Sequence, residues 1–179
     1  MARKGSESTK LERNFGKLIE SIDLPDQEEQ YLRSRWLDQV LWMENAASRA
    51  RVRYYTLRLV TVLGAVVIPA LVSLNLTGSA DTTVDWITFA ISLVVAGSAA
   101  IDGFFHFGMR WRHYRGTVER LKSEGWSFAE LSGQYHRRNA THRQVFPDFV
   151  SRVEQILGQE VEDYVEGVTG EARPKPREE

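Results

Sequence analysis

The 51 residues from position 59 to position 109 contain no lysine and no arginine. Two long apolar runs, residues 59–76 and 86–107, lie within this stretch and are separated by a short polar segment, residues 77–85. A helix needs about 20 predominantly apolar residues to cross the hydrocarbon core of a bilayer. The pattern therefore predicts two membrane-spanning helices joined by an outer turn, and the second span must accommodate one carboxylate, Asp102.

The distribution of charge predicts the orientation of these spans. Eleven of the 23 lysines and arginines precede residue 59, and the other twelve follow residue 109. Because basic residues near the ends of a span stay in the cytoplasm, both termini are expected on the cytoplasmic side. The turn carries Asp81 and Asp85 and should face the opposite side, while Trp86 and Trp111 suit the two membrane interfaces. The chain contains no cysteine, which excludes disulfides and thiol catalysis.

The segments that flank the spans show helical periodicity. Apolar or small residues recur at alternating spacings of 4 and 3 at Trp36, Val40, Met43, Ala47, Ala50, Tyr54 and Leu57. This heptad seam predicts one helix from about Asp26 through the first span, and a similar rhythm predicts that the second span also continues into the cytoplasm. The two extensions should pack as an antiparallel pair held by interhelical ion pairs. Gly125 should end the second of them, and Pro147 should begin a last amphipathic helix.

The predicted fold class is all-α: a two-transmembrane helical hairpin, with long helices extending into the cytoplasm and an additional packed C-terminal amphipathic helix. The predicted order is a partly disordered N-terminal segment (1–24), a cytoplasmic heptad helix (25–58), the first span (59–76), the outer turn (77–85), the second span (86–107), a cytoplasmic helical region (108–168) and a disordered tail (169–179).

Several spaced motifs accompany this pattern. They are YLRSRWLDQVLW at residues 31–42, an Ile-Pro pair at 68–69, WRHYRGTVERLKSEGW at 111–126 and FVSRVEQILGQEV at 149–161. Over residues 31–165 the chain resembles the SMODS- and SLOG-associating two-transmembrane effectors, the SLATT family. The resemblance implies a bacterial inner-membrane protein that assembles into a pore and, in many members, damages membranes in conflict or antiphage systems. The chain differs from the operon-linked effectors in having no fused sensor domain, which leaves the trigger open.

One polar and small stripe follows the second span. Its members recur at spacings of 3 and 4 and are Asp85, Thr88, Ser92, Val95, Ala99, Asp102 and His106. A single hairpin has no interior for such a stripe, whereas a ring of hairpins does, so these residues are candidates to line a pore. Asp85 would form an acidic outer mouth, and Asp102 with His106 an inner ring.

Each of these assignments has an alternative. Asp102 is as well placed for an ion pair with Arg58 as for a pore site, because both lie near the cytoplasmic end of their spans. Asp85 also suits a solvated turn, and His106 also suits hydrogen bonding to lipid headgroups rather than a pH switch. Pro69 would kink the first span, either as a static bend or as a gating hinge.

The remaining candidate is a basic loop with the sequence YHRRNATHRQ. Its residues His136, Arg137, Arg138 and Arg143 suit an anionic lipid or a nucleotide, although a solvated loop is the favoured interpretation. The sequence contains no pattern typical of a catalytic or metal site, so no enzyme activity, metal or cofactor is expected.

The resulting functional prediction is a homo-oligomer of about four or more subunits that forms a pore for inorganic ions in the lipid bilayer, with a preference for cations. The alternative is a non-conducting membrane adaptor, or a lipid-responsive scaffold, that recruits a cytoplasmic partner. Nucleic acid is not an expected partner.

Overall fold

A computed structural model describes residues 4–73 and 79–169, and these residues are predominantly helical, with no strand among them. The helices are α1 (Lys4–Glu20), α2 (Asp26–Tyr31), α3 (Asp38–Ser73), α4 (Ser79–Phe105), α5 (Phe107–Ala129) and α6 (His142–Thr169). A π-helical segment (Leu32–Leu37) joins α2 to α3, and a 3-10 turn (Gly133–Tyr135) lies between α5 and α6. The all-α prediction is confirmed. The predicted tail from residue 170 and residues 74–78 of the predicted span and turn lie outside the described residues.

The chain divides into two compact units. The core unit contains the described residues up to Asn45 and from His113 onward. The apolar unit is Ala46–Arg112, which contains most of α3, all of α4 and the start of α5.

Trp36 lies at the centre of the core unit. Its side chain is only 2% exposed, and its indole N–H donates a hydrogen bond of 3.1 Å to the carbonyl oxygen of Leu121 on α5. The ring packs edge-to-face on Phe15 of α1, with centroids 4.9 Å apart. Gly125 makes room for it, because a Cβ at that position would overlap the indole ring. Gly125 was expected to end the helix, but α5 continues through it to Ala129.

The heptad seam is confirmed as a buried face. Its first five positions are buried and the last two are half-buried: Trp36, Val40, Met43, Ala47, Ala50, Tyr54 and Leu57. Helical structure is continuous from Asp26 to Ser73 apart from the π-helical segment, as the periodicity predicts. Within the core unit, Glu44 pairs with Arg115 at 2.7 Å and with Lys122 at 3.5 Å, so ion pairs do join α3 to α5.

A second polar contact joins the N-terminal helices to α6. Arg35 donates to both carboxylate oxygens of Glu154, at 2.9 and 2.7 Å, and the Tyr31 hydroxyl donates to the same carboxylate at 2.9 Å. The hydrogen bond from Arg35 lowers the pKa of Glu154. Burial, reinforced by the bond to Glu154, raises the pKa of Tyr31. The arrangement fixes α6 against the π-helical segment.

Two predictions about helix ends differ from the structure of the core unit. The N-terminal segment, expected to be partly disordered, forms α1, whose Phe15 and Ile19 are buried in the core. The last helix begins at His142 rather than at Pro147, which lies inside it. The side chain of Gln144 accepts the backbone N–H of Thr141 at 3.1 Å, one half of a capping box, and this contact places the start of α6 five residues before the proline.

Candidate functional site

The two long helices of the apolar unit leave most of their surface uncovered. The helical stretches Asp26–Ser73 and Thr82–Phe105 are each long and apolar enough to cross a membrane, and only 6% of either apolar window is buried. The exposed large side chains there include Leu59, Val62, Leu63, Val66 and Val72 on α3, and Trp86, Ile87, Phe89, Leu93, Val94, Ile101 and Phe104 on α4. A core helix of a water-soluble protein would be mostly buried. Apolar surface of this kind marks contact with lipid or with another protein.

Helices α3 and α4 come close together at Gly64. A Cβ on this glycine would overlap the Cγ2 methyl of Val95, so only glycine permits the observed spacing. By contrast, a Cβ on Gly97 or Gly103 would meet no neighbouring atom within 4 Å. The small residues of the predicted second span were noted from the sequence, whereas the role of Gly64 in the first span was missed. The available signal was a glycine inside an otherwise uninterrupted apolar helix.

Six members of the predicted pore-lining stripe lie along α4 at the expected helical spacing, and their burial is unequal. Three of its members are exposed, namely Asp85, Ala99 and His106. Four are half-buried, namely Thr88, Ser92, Val95 and Asp102. The Thr88 hydroxyl donates to the carbonyl of Val84, and the Ser92 hydroxyl to the carbonyl of Thr88, each at 2.8 Å. These hydroxyls are therefore satisfied within α4 and need no second helix.

Asp85 was expected at the end of an outer turn, but it lies inside α4, which begins at Ser79. Its side chain is exposed. It therefore occupies the second turn of α4. Its exposure leaves the carboxylate open to solvent, which explains how an acidic residue is tolerated near the start of an apolar helix.

Asp102 has the least satisfied side chain of the stripe. Its Oδ1 atom is buried and has no hydrogen-bond partner. Arg58 is exposed, and within the described residues no ion pair joins it to Asp102. The alternative of an intramolecular ion pair is therefore not formed. A buried carboxylate oxygen without a hydrogen-bond partner is unfavourable by about 1–3 kcal/mol, so this atom favours contact with a cation or a hydrogen-bond donor.

The chain breaks helical geometry at His106. This residue has φ of +49°, a left-handed conformation that is uncommon for non-glycine residues, and it separates α4 from α5. Its N–H donates to the carbonyl of Asp102 at 3.0 Å, while its own carbonyl accepts from Met109 and Arg110 at 3.0 and 3.1 Å. The second apolar helix was expected to continue without a break. It instead ends at Phe105, and His106 caps it in a left-handed conformation.

The predicted hinge at Pro69 does not interrupt α3. Pro69 lies inside α3, which continues past it to Ser73. Because proline lacks an N–H, one internal hydrogen bond is absent at this point, although the helical assignment is uninterrupted.

The basic loop is solvated. His136, Arg137, Arg138 and Arg143 are all exposed. Arg137 pairs with Asp148 of α6 at 2.6 Å, and a ring nitrogen of His142 hydrogen-bonds the carbonyl oxygen of Ala129 at 2.9 Å. These contacts hold the loop on the core unit.

The core unit also carries polar clefts. One, of about 510 Å³, is lined by Glu119, Arg120, Ser123, Glu124, Arg152, Gln155, Ile156 and Gln159. Beside it, Glu124 accepts hydrogen bonds from Tyr135 and Gln134, and burial raises the pKa of Tyr135. Among the described residues no group of three or more His, Asp or Glu side chains is arranged to hold a metal ion.

Comparison with known protein families identifies a match. The family model DUF4231, described as "Protein of unknown function", matches residues 38–143. The matched region includes α3, α4, α5 and the basic loop. Neither a curated protein nor a solved structure matches the chain.

Proposed function

We propose that this chain, which belongs to the DUF4231 family, is an oligomeric membrane protein whose apolar helices surround an ion-conducting pore. In this proposal α3 and α4 cross a bacterial inner membrane as a hairpin, and both termini are cytoplasmic. The small buried share of both apolar windows, 6% in each, supports membrane insertion. The absence of Lys and Arg between residues 59 and 109 supports the orientation. The sequence resemblance to SLATT effectors supports a role in bacterial conflict.

Oligomerisation follows from the unsatisfied groups of the apolar unit. Two helices in contact have no interior, so an ion pathway requires several copies around a common axis. The single observation that carries the proposal is the buried, unpartnered Oδ1 atom of Asp102. Ionisable groups within apolar helices are costly and generally face a cavity or a partner. A ring of copies would place this atom beside a water-filled pathway or a bound cation.

The proposed pathway has acidic groups near both ends. Asp85 lies near the start of α4 and is exposed, and Asp102 lies one turn before the helix ends. Rings of carboxylates concentrate cations at a pore and exclude anions. Cation preference is therefore expected, with Asp102 as the inner ring. His106 would present its imidazole at the adjacent cytoplasmic mouth.

The test is ion flux through liposomes that contain the purified protein, after its oligomeric mass has been measured in the same detergent. A ring of about four or more copies with cation flux is expected. Asp102→Asn should reduce cation flux by roughly tenfold, since removing one charge from every subunit removes the inner ring. Asp148→Asn, on the core unit, is the matched control and should leave flux unchanged. Equal selectivity in wild type and in both Asp85→Ala and Asp102→Asn would contradict the acidic-ring mechanism.

A non-conducting adaptor is the second candidate, and one observation favours it. Trp126 of the core unit is 47% exposed and lines a groove of about 560 Å³ together with Leu11, Asn14 and Phe15. A partly exposed tryptophan in a groove is typical of a protein-binding surface. The adaptor predicts a monomer or dimer with no flux, so the same sample distinguishes the two functions.

A further inference from the structure

Arginines are concentrated on α3, just before its long apolar stretch. Residues 46–80 contain four arginines and no aspartate or glutamate. All four are exposed: Arg49, Arg51, Arg53 and Arg58. Among the described residues, none of them forms an ion pair, whereas Arg33, Arg35, Arg115 and Arg137 of the core unit each pair with a carboxylate. The apolar unit therefore carries a cluster of guanidinium groups with which no described carboxylate forms an ion pair.

These four arginines differ in what they already contact. The Arg53 guanidinium lies over the ring of Phe107, 5.7 Å from its centroid, so it is partly engaged by a cation–π interaction. Arg51 and Arg58 hydrogen-bond no described residue. They are seven positions apart on α3, with Tyr55 between them, so the three share one helix face. We call Arg51, Tyr55, Arg58 and Trp111 the arginine–aromatic face.

The aromatic members of this face have an amphipathic arrangement. The Tyr55 ring packs edge-to-face on Trp111 of α5, with centroids 5.8 Å apart, and Tyr55 is 52% exposed. Tyrosine and tryptophan concentrate at the level of lipid headgroups, where the ring meets acyl chains and the polar atom meets water. Leu59, directly after Arg58, begins the exposed apolar surface of α3.

The chemistry of the face specifies its ligand. Two unpaired guanidinium groups favour a phosphate, which arginine binds with paired N–H donors. The apolar surface immediately beyond Arg58 favours a molecule with acyl chains attached to that phosphate. A zwitterionic lipid would leave the excess positive charge unneutralised.

We propose that the arginine–aromatic face binds the headgroup of an anionic phospholipid in the cytoplasmic leaflet. Arg51 and Arg58 would neutralise the phosphate, and the Tyr55–Trp111 pair would pack on the adjoining glycerol and acyl carbons. The proposal rests on the membrane insertion proposed above but not on ion conduction. It places lipid recognition on α3, beside the membrane, rather than on the basic loop.

The experiment measures lipids retained by the full-length protein in a neutral detergent, by native mass spectrometry. Phosphatidylglycerol and phosphatidylcholine of identical acyl chains are the probes, and inorganic phosphate is the competitor. Preferential retention of phosphatidylglycerol is expected. Arg51→Gln/Arg58→Gln should weaken it roughly tenfold to thirtyfold, because each basic residue near a membrane surface contributes about 1 kcal/mol of attraction to anionic lipid. Arg137→Gln/Arg138→Gln removes the same charge from the basic loop and should change nothing.

Each outcome that contradicts the proposal leads to a different conclusion. Equal retention of both lipids, or an unchanged affinity in Arg51→Gln/Arg58→Gln, overturns the site while leaving membrane insertion intact. Retention of neither lipid overturns the insertion as well. Displacement of phosphatidylglycerol by millimolar phosphate assigns the face to a free anion instead. An equal loss in the loop variant assigns binding to overall charge.

A second measurement covers the case in which the double glutamine variant does not fold. Brominated phosphatidylglycerol should quench the fluorescence of the wild-type protein more than that of Trp111→Phe, because bromine on the acyl chain quenches a nearby indole. Equal fractional quenching in both would place the lipid away from Trp111 and overturn the proposal.

Discussion

The two units of this chain handle large apolar side chains in opposite ways. The core unit buries Phe15, Trp36, Phe128 and Phe149 almost completely. The apolar unit leaves Trp86 69% exposed and Phe104 78% exposed. Both units are helical, so they differ in the exposure of their apolar side chains and not in their secondary structure. The core unit has its own hydrophobic interior, whereas the apolar unit leaves much of its apolar surface exposed, as the proposed contact with lipid or with other copies requires.

This difference also appears in the polar contacts. In the core unit, carboxylates such as Glu44 and Glu154 meet arginine or lysine. In the apolar unit, Asp102 has a buried oxygen without a partner, and Arg51 and Arg58 are unpaired among the described residues. The apolar unit therefore has unsatisfied groups of both signs, and the proposed pore and lipid site would each supply a partner for one of them. Substitutions matched between the two units, or within one of them, test this contrast.

The largest effect is expected from matched tryptophan truncations. Trp36→Ala removes a buried ring and its hydrogen bond to Leu121, and should destabilise the core unit by about 3–5 kcal/mol in denaturant unfolding followed by near-ultraviolet circular dichroism. Trp86→Ala removes an exposed ring and should change that stability by less than about 0.5 kcal/mol. Similar losses in the two variants would show that the units do not differ in the proposed way.

The next effect concerns the contact between α3 and α4. Gly64→Ala introduces a methyl group that overlaps Val95 and should destabilise the apolar unit by about 1–3 kcal/mol, through separation of the helices. Gly97→Ala is the control, because a Cβ there has nothing within 4 Å. The measurement is the helix content of the protein in mixed micelles as SDS is added. A larger loss in Gly97→Ala would mean that Gly97 faces a neighbouring copy in the oligomer.

Sequence periodicity was sufficient for the long elements and insufficient for their ends. The heptad seam from Trp36 to Leu57 was predictable because a repeat of 4 and 3 places residues on one helix face whatever they pack against. The break at His106 was not predictable in this way. Its left-handed conformation accompanies the backbone hydrogen bonds that end α4, and a hydrophobic repeat does not encode these bonds. Gly125 was misread for a related reason: a glycine that admits Trp36 and a glycine that ends a helix look alike in sequence.

The candidate site was predictable only in part. The spacing of Asp85, Thr88, Ser92 and Asp102 along one helix could be read from sequence. Their unequal burial could not, because it depends on the contact of Gly64 with Val95. The arginine–aromatic face likewise joins α3 to Trp111 of α5, more than fifty positions away in the sequence. Contacts between distant segments need the folded structure.

The smallest predicted effect is a pH dependence that belongs to the core unit alone. The hydrogen bond from Arg35 lowers the pKa of Glu154 relative to the unfolded chain. A lowered carboxyl pKa stabilises the fold at pH values above the unfolded pKa, and this stability is lost as pH falls through the lower, folded value. Because both side chains are nearly half exposed, the pair should contribute only about 0.5 kcal/mol.

A double-mutant cycle of Arg35→Gln and Glu154→Gln isolates this contribution, with unfolding measured at neutral pH and at about pH 3. The coupling between the two residues should be present at neutral pH and smaller in acid, while the Tyr31 hydroxyl keeps a hydrogen bond to the glutamine. A coupling that persists unchanged in acid would show that Glu154 acts through its hydrogen bonds and not through its charge. The SDS resistance of the α3–α4 contact should not depend on either substitution, because that contact lies in the apolar unit.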